Sequence, residues 1–436
     1  MIPFPRNRYL SIICFLLVGF TATLLMSGFL FQAEAQRPYF RNIVYTESNI
    51  PSRNGNTILA FEQDANGKLT PLPNSPFPTG GAGIADPTFT TLGGALLIAD
   101  NDQNVIVNPE HTRLFAVNSG SNTIAVFDIK KDGTLSPVYG SPFPSGGINP
   151  ESLGLANDVL YVINRNLDRN NPTQDAKASQ PNYTGFRVTY TGQLVPIPKS
   201  TVSVPNGSNP TQALISQDKR ILFGAEFIGG SLRSFKILPS GRLKESPNSP
   251  QSLPASEFPP SSPPALLLGL QVHPKLPILY VGFVTINKVG VYNYNSFTGE
   301  LTFVKAVPTS GKAPCWLVTN REGTRLYTAN TADNSVSVYD LRDATTPKEI
   351  QKVVLKGNGS ATQLTLNSNE SFLQVVTRRN SPDKLKGNGI NIFKVNPTDG
   401  TLSEEDTSPL PIPSVNGSFP QGIVSLIPKR FAYKAK

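Results

Sequence analysis

Two acidic residues, Glu151 in the segment NPES and Asp102 in the segment ADNDQNV, lie in short polar stretches that precede apolar runs. A carboxylate in a polar cleft can transfer a proton, and beside a cation or hydrogen-bond donor it can promote hydrolysis of an ester or lactone. Glu151 and Asp102 are therefore candidate catalytic residues. The chain has two histidines, His111 and His273, and both lie in turn-like segments. There an exposed or turn-bonding role is favoured over that of a general base.

Uncharged polar residues and one tryptophan occupy the corresponding places elsewhere in the chain, in segments such as NPTQ, APCW and SATQ. Around a concave mouth such side chains suit a sugar or another polar ligand. They could equally satisfy backbone groups or channel water, and the sequence favours neither role. The candidate ligand-binding residues are Gln103, Asn104, Ser152, Gln212, Trp316, Gln363 and Gln421.

Basic residues are concentrated in three loop-like segments, and the whole chain carries a net charge of +9. Together they would form a basic rim that attracts anionic glycans or phosphorylated sugars, although solvated loop charge is the simpler interpretation. Aromatic residues are not interleaved with the basic ones, so no nucleic-acid partner is expected. The residues of this rim are Arg165, Arg169, Lys288, Arg378 and Arg379.

Several well-known chemical signatures are absent from the sequence. There is no G-x-S-x-G motif, no G-x-x-x-x-G-K-[ST] phosphate loop and no H-E-x-x-H motif. Cleavage of an N-terminal leader would remove Cys14, and the two histidines and Cys315 that remain are too few for a zinc site. Cys315 has no predicted histidine neighbour, so a buried apolar role suits it better than nucleophilic catalysis. We therefore expect no cofactor and no metal, with calcium on aspartate-containing loops left open.

The segments that carry these residues belong to a repeat. The stretch from Thr112, TRLFAVNSGSNTIAVFDIKKDGTL, contains an apolar strand, a polar turn, a second strand and a G-x-L element, and TRLYTANTADNSVSVYDL from Thr324 begins in the same way. Seven copies can be found, at intervals of about 50 to 65 residues. A lead-in strand precedes each copy, so one unit is four short strands separated by turns. The G-x-L glycines are Gly67, Gly133, Gly192, Gly241, Gly299 and Gly400.

This repeat predicts the fold. A four-stranded unit of this length cannot bury both of its faces alone, whereas seven units arranged radially can. The sequence therefore predicts an all-β protein, a seven-bladed β-propeller of four-stranded antiparallel blades. The chain begins within a repeat and ends with a lead-in strand from Phe419, so we expect the C-terminal strand to pair with the N-terminal blade. The phrases SPFPTGG from Ser75 and SPFPSGG from Ser141 would connect an outer strand to the next inner strand, with proline ending the outer edge.

The predicted fold sorts the candidate residues by face. When the strands of a blade are lettered a to d from the channel outward, the d-to-a and b-to-c loops meet on one face, here called the funnel face. The a-to-b and c-to-d turns meet on the opposite turn face. The candidate carboxylates, the polar ring and the basic rim belong to the funnel face. His111 and His273 belong to the turn face.

The N-terminus resembles a secretory leader. Arg6 and Arg8 precede an apolar run from Leu10 to Phe31, and Ala33 and Ala35 supply a small-residue cleavage site. We expect residues 1–35 to be a signal peptide and residues 36–436 to form a single propeller domain. The apolar run is long enough to be an uncleaved anchor instead. Either outcome predicts a secreted, periplasmic or cell-envelope protein.

The phrase LYxxN…NxVxVY, the G-x-L element after it and HPKLPILYVG from His273 resemble the seven-bladed lactonase family. That family groups 6-phosphogluconolactonase-like and carboxymuconate-cyclase-like proteins with related YVTN-type repeats. The resemblance extends over nearly the whole chain after the leader and implies the propeller fold and lactonase-type ester hydrolysis. Enzymes of the family are pictured with Arg and His at inner-strand starts, in elements such as GPRH, and this sequence has neither there.

Two functions follow from these observations. The leading hypothesis is a noncatalytic ligand-binding or scaffold module at the cell envelope, which engages a polar or anionic small molecule or a glycan on the funnel face. The alternative is a lactone hydrolase resembling 6-phosphogluconolactonase, which acts on an extracytoplasmic lactone with Glu151 or Asp102 as the base. We expect a monomer that contacts a membrane only through an uncleaved leader.

Overall fold

The short apolar segments of the repeat form seven antiparallel sheets in the computed structural model. The model describes residues 42–84, 102–166, 180–259, 261, 265–379 and 387–426. The innermost strand of each sheet contacts the innermost strand of the next, and the contacts return to the first sheet. The predicted all-β, seven-bladed propeller is therefore confirmed. The proposed leader, residues 1–35, lies outside the described residues.

Each blade has four strand positions, and in five blades the outer position is divided into two short strands. Blade 1 contains β1 (Asn42–Glu47), β2 (Thr57–Gln63), β3 (Leu69–Pro71) and β4 (Phe77–Pro78). Blade 2 contains β5 (Val105–Val107), β6 (Arg113–Asn118), β7 (Thr123–Ile129), β8 (Leu135–Pro137) and β9 (Phe143–Pro144). Blade 3 contains β10 (Pro150–Ala156), β11 (Val159–Asn164), β12 (Asn182–Val188), β13 (Leu194–Pro196) and β14 (Val202–Ser203). Blade 4 contains β15 (Pro210–Ile215), β16 (Ile221–Glu226), β17 (Ser231–Ile237), β18 (Leu243–Glu245) and β19 (Gln251–Ser252). Blade 5 contains β20 (Leu267–Val272), β21 (Ile278–Phe283), β22 (Lys288–Tyr294) and β23 (Leu301–Pro308). Blade 6 contains β24 (Pro314–Thr319), β25 (Arg325–Asn330), β26 (Ser335–Asp340) and β27 (Lys348–Val354). Blade 7 contains β28 (Gly359–Leu366), β29 (Phe372–Arg379), β30 (Gly389–Val395), β31 (Leu402–Glu404) and β32 (Leu410–Pro411). The last strand, β33 (Gln421–Leu426), is the inner strand of blade 1.

The core lies between the blades. The buried apolar side chains form seven clusters, and each is centred on the contact between two neighbouring blades. The repeated Leu-aromatic pair of the second strand explains this arrangement, because successive side chains of a strand point to opposite faces. In blade 3, Leu160 packs toward blade 2 and Tyr161 packs toward blade 4. One dipeptide therefore connects three blades.

The tyrosine of this pair also reaches the next blade, where it contacts the G-x-L element or, in blade 6, the segment that replaces this element. Its hydroxyl donates a hydrogen bond to a backbone carbonyl there in four blades: Tyr45 to Gly133 at 2.6 Å, Tyr161 to Gly241 at 3.0 Å, Tyr280 to Ala344 at 2.9 Å and Tyr327 to Gly400 at 3.0 Å. The glycines adopt positive φ angles, +84° at Gly133 and +80° at Gly241, a region that side chains disfavour. The aromatic residue of the second strand and the G-x-L element thus meet at the contacts between blades.

The SPFP phrase is part of the outer strand, which corrects the sequence prediction. Phe77–Pro78 pairs with the start of β2 and Phe143–Pro144 pairs with the start of β7, while β3 and β8 pair with the other ends of the same strands. The connection to the next blade begins only after the phrase. Proline divides the outer strand into two parts and exposes no long continuous edge.

The two ends of the described chain meet in blade 1. Strand β33 pairs antiparallel with β1, so that Leu426 lies opposite Ile43 and Val424 lies opposite Tyr45. Among the described residues there is no helix of the length and hydrophobicity that a membrane span requires.

Candidate functional site

The funnel face is the end of the propeller where the inner strands begin and the loops after the second strands lie. Three buried side chains, Glu47, Glu151 and Arg165, form a charged cluster near this face, here called the acid–arginine cluster. Glu151 is the second residue of β10, Arg165 directly follows β11, and Glu47 is the last residue of β1. The propeller therefore assembles the cluster from blades 1 and 3.

Glu151 is fully buried and is held by several neighbours. Asn149 Nδ2 donates to its Oε1 at 2.6 Å, and Arg165 Nη1 lies 3.7 Å from its Oε2. Its backbone carbonyl accepts a hydrogen bond from Asn104 Nδ2 of blade 2 at 2.9 Å. The sequence predicted Glu151 as a candidate base but assigned no cation to it. The structure supplies that cation, and a nearby positive charge stabilises an ionised carboxylate.

Glu47 is a second buried carboxylate, which the sequence analysis missed. Its Oε1 accepts a hydrogen bond from Asn56 Nδ2, and its Oε2 has no hydrogen-bond partner among the described residues. Burial raises the pKa of Glu47 well above its usual range, and the charge of Glu151 raises it further, although the Asn56 hydrogen bond acts in the opposite direction. The environment of Glu47 therefore favours its protonated form.

A sequence signal for Glu47 does exist. In three of the seven blades the second strand ends in asparagine, at Asn118, Asn164 and Asn330. These asparagines donate hydrogen bonds to residues of their own blade or to the adjoining loop. Glu47 and Glu226 replace that asparagine in blades 1 and 4. A carboxylate at a position that elsewhere carries a structural amide could have been singled out.

Glu226 differs from Glu47 because its charge is compensated. Its two oxygens accept hydrogen bonds from Ser231 Oγ at 2.6 Å and Arg233 Nε at 2.5 Å. Arg233 also pairs with Glu245 at 2.6 Å. Glu226 therefore has the environment of a structural ion pair and serves as a natural reference for Glu47.

The expected basic rim differs in the structure. Arg165, Arg378 and Arg379 are 2%, 1% and 2% exposed. Arg165 Nε donates to Asn209 Oδ1 in blade 4, and Arg379 donates to Ser414 Oγ at 3.3 Å and to the Gly417 carbonyl at 3.0 Å. These arginines are therefore parts of the packed interior.

The other contacts of the predicted basic rim are those of Arg378 and Lys288. The guanidinium of Arg378 lies over the ring of Phe419, 5.9 Å from its centroid, a geometry that favours cation–π attraction. Lys288 pairs with Glu257 at 2.6 Å and is partly exposed. Arg169 lies outside the described residues.

The predicted polar ring is mostly buried and several of its members join neighbouring blades. Ser152 Oγ accepts from the Ala213 amide at 3.0 Å, and Gln212 accepts from the Leu270 amide at 2.6 Å. Gln421 Oε1 accepts from Asn49 Nδ2 at 2.9 Å. Trp316 and Gln363 are also buried, at 1% and 3% exposure. These residues contribute to blade contacts, and a role in ligand contact stays a prediction.

Asp102 and Gln103 lie in the central channel. Both precede β5 and line a cavity of about 350 Å³ between the inner strands. Burial raises the pKa of Asp102 to about 7, against the effect of a hydrogen bond from the Gln103 amide. The sequence analysis grouped Asp102 with Glu151 because it placed both at inner-strand starts; the residues that line this cavity include Asp102 and not Glu151.

The turn face carries the histidines, as predicted. His273 lies between β20 and β21, and His111 lies between β5 and β6. Cys315 is fully buried. Within the described ranges, no three His, Cys, Asp or Glu side chains converge in a way that could hold a metal ion.

The comparisons with known proteins agree with the fold. The family model described as "Lactonase, 7-bladed beta-propeller" matches residues 269–364. The resemblance to this family that the sequence predicted is thereby confirmed. A search of curated protein sequences finds no significant match.

Solved structures resemble the chain over most of its length. A protein from Bacteroides fragilis provisionally named a 6-phosphogluconolactonase has a TM-score of 0.64 at 14% identity, covering 89% of this chain and 98% of its own. A similarly named protein from Bacteroides uniformis has a TM-score of 0.65 at 13% identity, covering 89% and 100%. The periplasmic gluconolactonase of Pseudomonas aeruginosa has a TM-score of 0.62 at 14% identity, covering 88% and 100%. At these identities the likeness concerns the fold.

Proposed function

We propose that this chain, which resembles the seven-bladed lactonase family in sequence and fold, is an exported hydrolase of a polar lactone. The leader-like N-terminus supports export, and the structural likeness to a periplasmic gluconolactonase is compatible with an extracytoplasmic substrate. The acid–arginine cluster supports hydrolysis. This ranks the second function of the sequence analysis above the first, because that analysis found no cation beside its candidate base.

The observation that carries the proposal is the contrast between the two buried carboxyl groups. Glu151 lies beside Arg165, whose positive charge favours the carboxylate form. Glu47 forms no ion pair with another described residue, and burial raises its pKa. Two carboxyl groups whose environments favour opposite protonation states are suited to serve as a base and an acid.

The chemistry follows from these states. In lactone hydrolysis, Glu151 takes a proton from the water that attacks the ring carbonyl carbon. Glu47 gives its proton to the ring oxygen as the bond between that oxygen and the carbonyl carbon breaks. The product is an open-chain hydroxy acid. The net reaction consumes one water and needs no redox partner, so the chain's own residues are sufficient for it.

The test uses the purified chain from residue 36 onward and a panel of five- and six-membered sugar lactones, with and without a phosphate group. Hydrolysis is followed as acid release and corrected for the spontaneous reaction. We expect Glu151→Gln and Glu47→Gln each to lower kcat/KM by about 10²- to 10⁴-fold, which is the usual contribution of a general acid or base. Activity should also fall at the pH where Glu47 loses its proton, which lies above that of an ordinary carboxyl group because burial raises the pKa of Glu47.

Glu226→Gln is the matched control, because it alters a buried carboxylate at the same strand position in blade 4 and leaves the acid–arginine cluster intact. Circular dichroism and thermal unfolding establish that each variant is folded. Full activity in folded Glu47→Gln and Glu151→Gln proteins would disprove the assignment, and so would an equal loss in Glu226→Gln.

The second candidate is the noncatalytic binding module. The hydrogen bonds that Ser152, Gln212 and Gln421 make across blade and loop contacts are structural roles, and they support the scaffold form of this candidate. Isothermal titration with neutral and phosphorylated sugars and with anionic glycans separates the two functions. Tight binding without turnover of any lactone supports the module, whereas turnover that depends on Glu151 supports the hydrolase.

A further inference from the structure

The central channel contains a cavity that is separate from the acid–arginine cluster. Its volume is about 350 Å³, within the lower part of the range of small-molecule sites, about 300 to 1,000 Å³. Aliphatic side chains from several inner strands line it, among them Leu155, Ile215, Val318 and Val424. These four side chains are partly exposed, although branched apolar residues are usually buried. They therefore present an apolar wall to whatever occupies the channel.

One end of this cavity is polar because the chain before β5 crosses the channel. The Gln103 carbonyl accepts from the Leu153 amide of blade 3 at 3.0 Å, and the Asp102 amide donates to the Thr211 carbonyl of blade 4 at 3.3 Å. Gln212 Nε2 lies 3.3 Å from Asp102 Oδ2 and 3.2 Å from Gln103 Oε1. Asp102 and Gln103 thus form a ceiling that connects blades 2, 3 and 4.

The ceiling offers a single charge. Among the described residues that line the cavity, Asp102 is the only titratable one, and its polar neighbours are Gln103, Gln212 and Gln271. A carboxylate above an aliphatic wall is complementary to a cation with an apolar body. We propose that this channel cavity is a second ligand site, which binds a small amine with its ammonium group at Asp102 and its hydrocarbon part against the inner strands.

The electrostatics of Asp102 support this pairing. Burial raises its pKa to about 7, so near neutral pH the empty site carries only part of a negative charge. A bound ammonium group stabilises the ionised form. Binding should therefore strengthen by about tenfold between pH 6 and pH 8, because the ionised fraction of a group with a pKa of about 7 rises from roughly one tenth to nine tenths.

The test uses benzylamine as the probe and benzyl alcohol as its uncharged counterpart, with binding measured by isothermal titration and ligand-observed NMR at pH 6 and pH 8. We expect benzylamine to bind the wild-type chain more tightly than benzyl alcohol at pH 8. Asp102→Asn keeps the shape and an oxygen acceptor for Gln212, and it should weaken benzylamine binding at least tenfold and remove its pH dependence. Binding of benzyl alcohol should change little.

Two further variants locate the ligand. Val318→Phe, which places a larger side chain in the channel, should weaken binding of both probes. Glu151→Gln, which alters the acid–arginine cluster, should leave benzylamine binding unchanged. Failure of benzylamine to bind would overturn the proposal, as would benzylamine binding that Asp102→Asn and Val318→Phe leave intact in folded protein.

Discussion

His273 shows how a single side chain couples this fold to pH. The imidazole is 4% exposed. Its Nδ1 accepts hydrogen bonds from the amides of Lys275 at 3.1 Å and Leu276 at 3.0 Å, so Nε2 carries the proton and donates to the Gly323 carbonyl at 3.0 Å. A protonated imidazole could not accept these two bonds. The structure therefore selects the neutral form.

The stability of the protein should consequently decrease in mild acid. Burial lowers the pKa of His273, and the charge of Lys275 acts in the same direction, while the Gly323 hydrogen bond opposes them. Between the folded and unfolded pKa values the unfolded chain binds more protons, so the free energy of unfolding falls as pH drops below about 6.5. Urea unfolding at pH 7.5 and 5.5 measures the change, and His273→Gln should reduce it. An unchanged pH dependence in this variant would contradict the prediction.

The arginines of the funnel face illustrate what residue types alone cannot reveal. Arg165, Arg378 and Arg379 occur in polar, loop-like segments, and arginine is usually exposed. Their burial depends on partners that are distant in sequence, such as Asn209 for Arg165 and Gly417 for Arg379. The single-sequence pattern contains no measure of these pairings, so it could identify the basic residues but not their environment.

At the scale of elements, the contact between a second strand and the next blade's G-x-L turn should have a measurable energy. Tyr161→Phe removes the hydroxyl and leaves the Gly241 carbonyl without its donor. We expect a loss of about 1 kcal/mol in the free energy of unfolding, with little change in packing because Phe115 and Phe223 occupy the corresponding place in blades 2 and 4. Tyr190→Phe is the control, since that side chain is 99% exposed. An equal effect of both substitutions on urea unfolding would argue against the contact.

The elements were largely predictable, and their exceptions have local causes. Alternating apolar residues and Gly or Asn turns define the four strand positions of a blade, and these appear in the structure. The division of the outer strand at the SPFP phrase was not predicted, because proline was read as a stop. The segment ADNDQNV was read as an inner-strand start, but β5 begins only at Val105. Asp102 therefore precedes the inner strand and lies in the channel ceiling.

At the scale of the whole molecule, the fold was easier to predict than the site because they depend on different information. The fold follows from a sequence pattern that occurs seven times. A copy that departs from the pattern therefore does not change the fold prediction, because the other copies support it. The acid–arginine cluster combines Glu47 of blade 1 with Glu151 and Arg165 of blade 3, and each occurs once. Their proximity arises from ring closure, which brings residues about a hundred positions apart into one cluster.

Ring closure itself can be tested by moving its last strand. Deletion of residues 419–436 removes β33 together with the buried side chains of Ile423 and Leu426, and we expect thermal unfolding to occur several degrees lower and less cooperatively, since the loss of buried Ile and Leu side chains is strongly destabilising. In a second construction, residues 419–426 are placed before residue 42 through a short Asn-Gly turn. This is feasible because Leu426 lies opposite Ile43 in the antiparallel pair.

A comparison of the deletion variant, the rearranged chain and the wild type separates two contributions of β33, its packing in blade 1 and its covalent link between the last blade and the first. The rearranged chain keeps the complete blade 1 but no longer ties the last blade to the first through β33, so its stability should lie between those of the deletion variant and the wild type. Differential scanning calorimetry gives the three midpoints. If the deletion variant unfolds at the wild-type temperature, the C-terminal strand contributes nothing to the ring. If the rearranged chain is as stable as the wild type, blade completion alone accounts for the effect and the covalent tie is unnecessary.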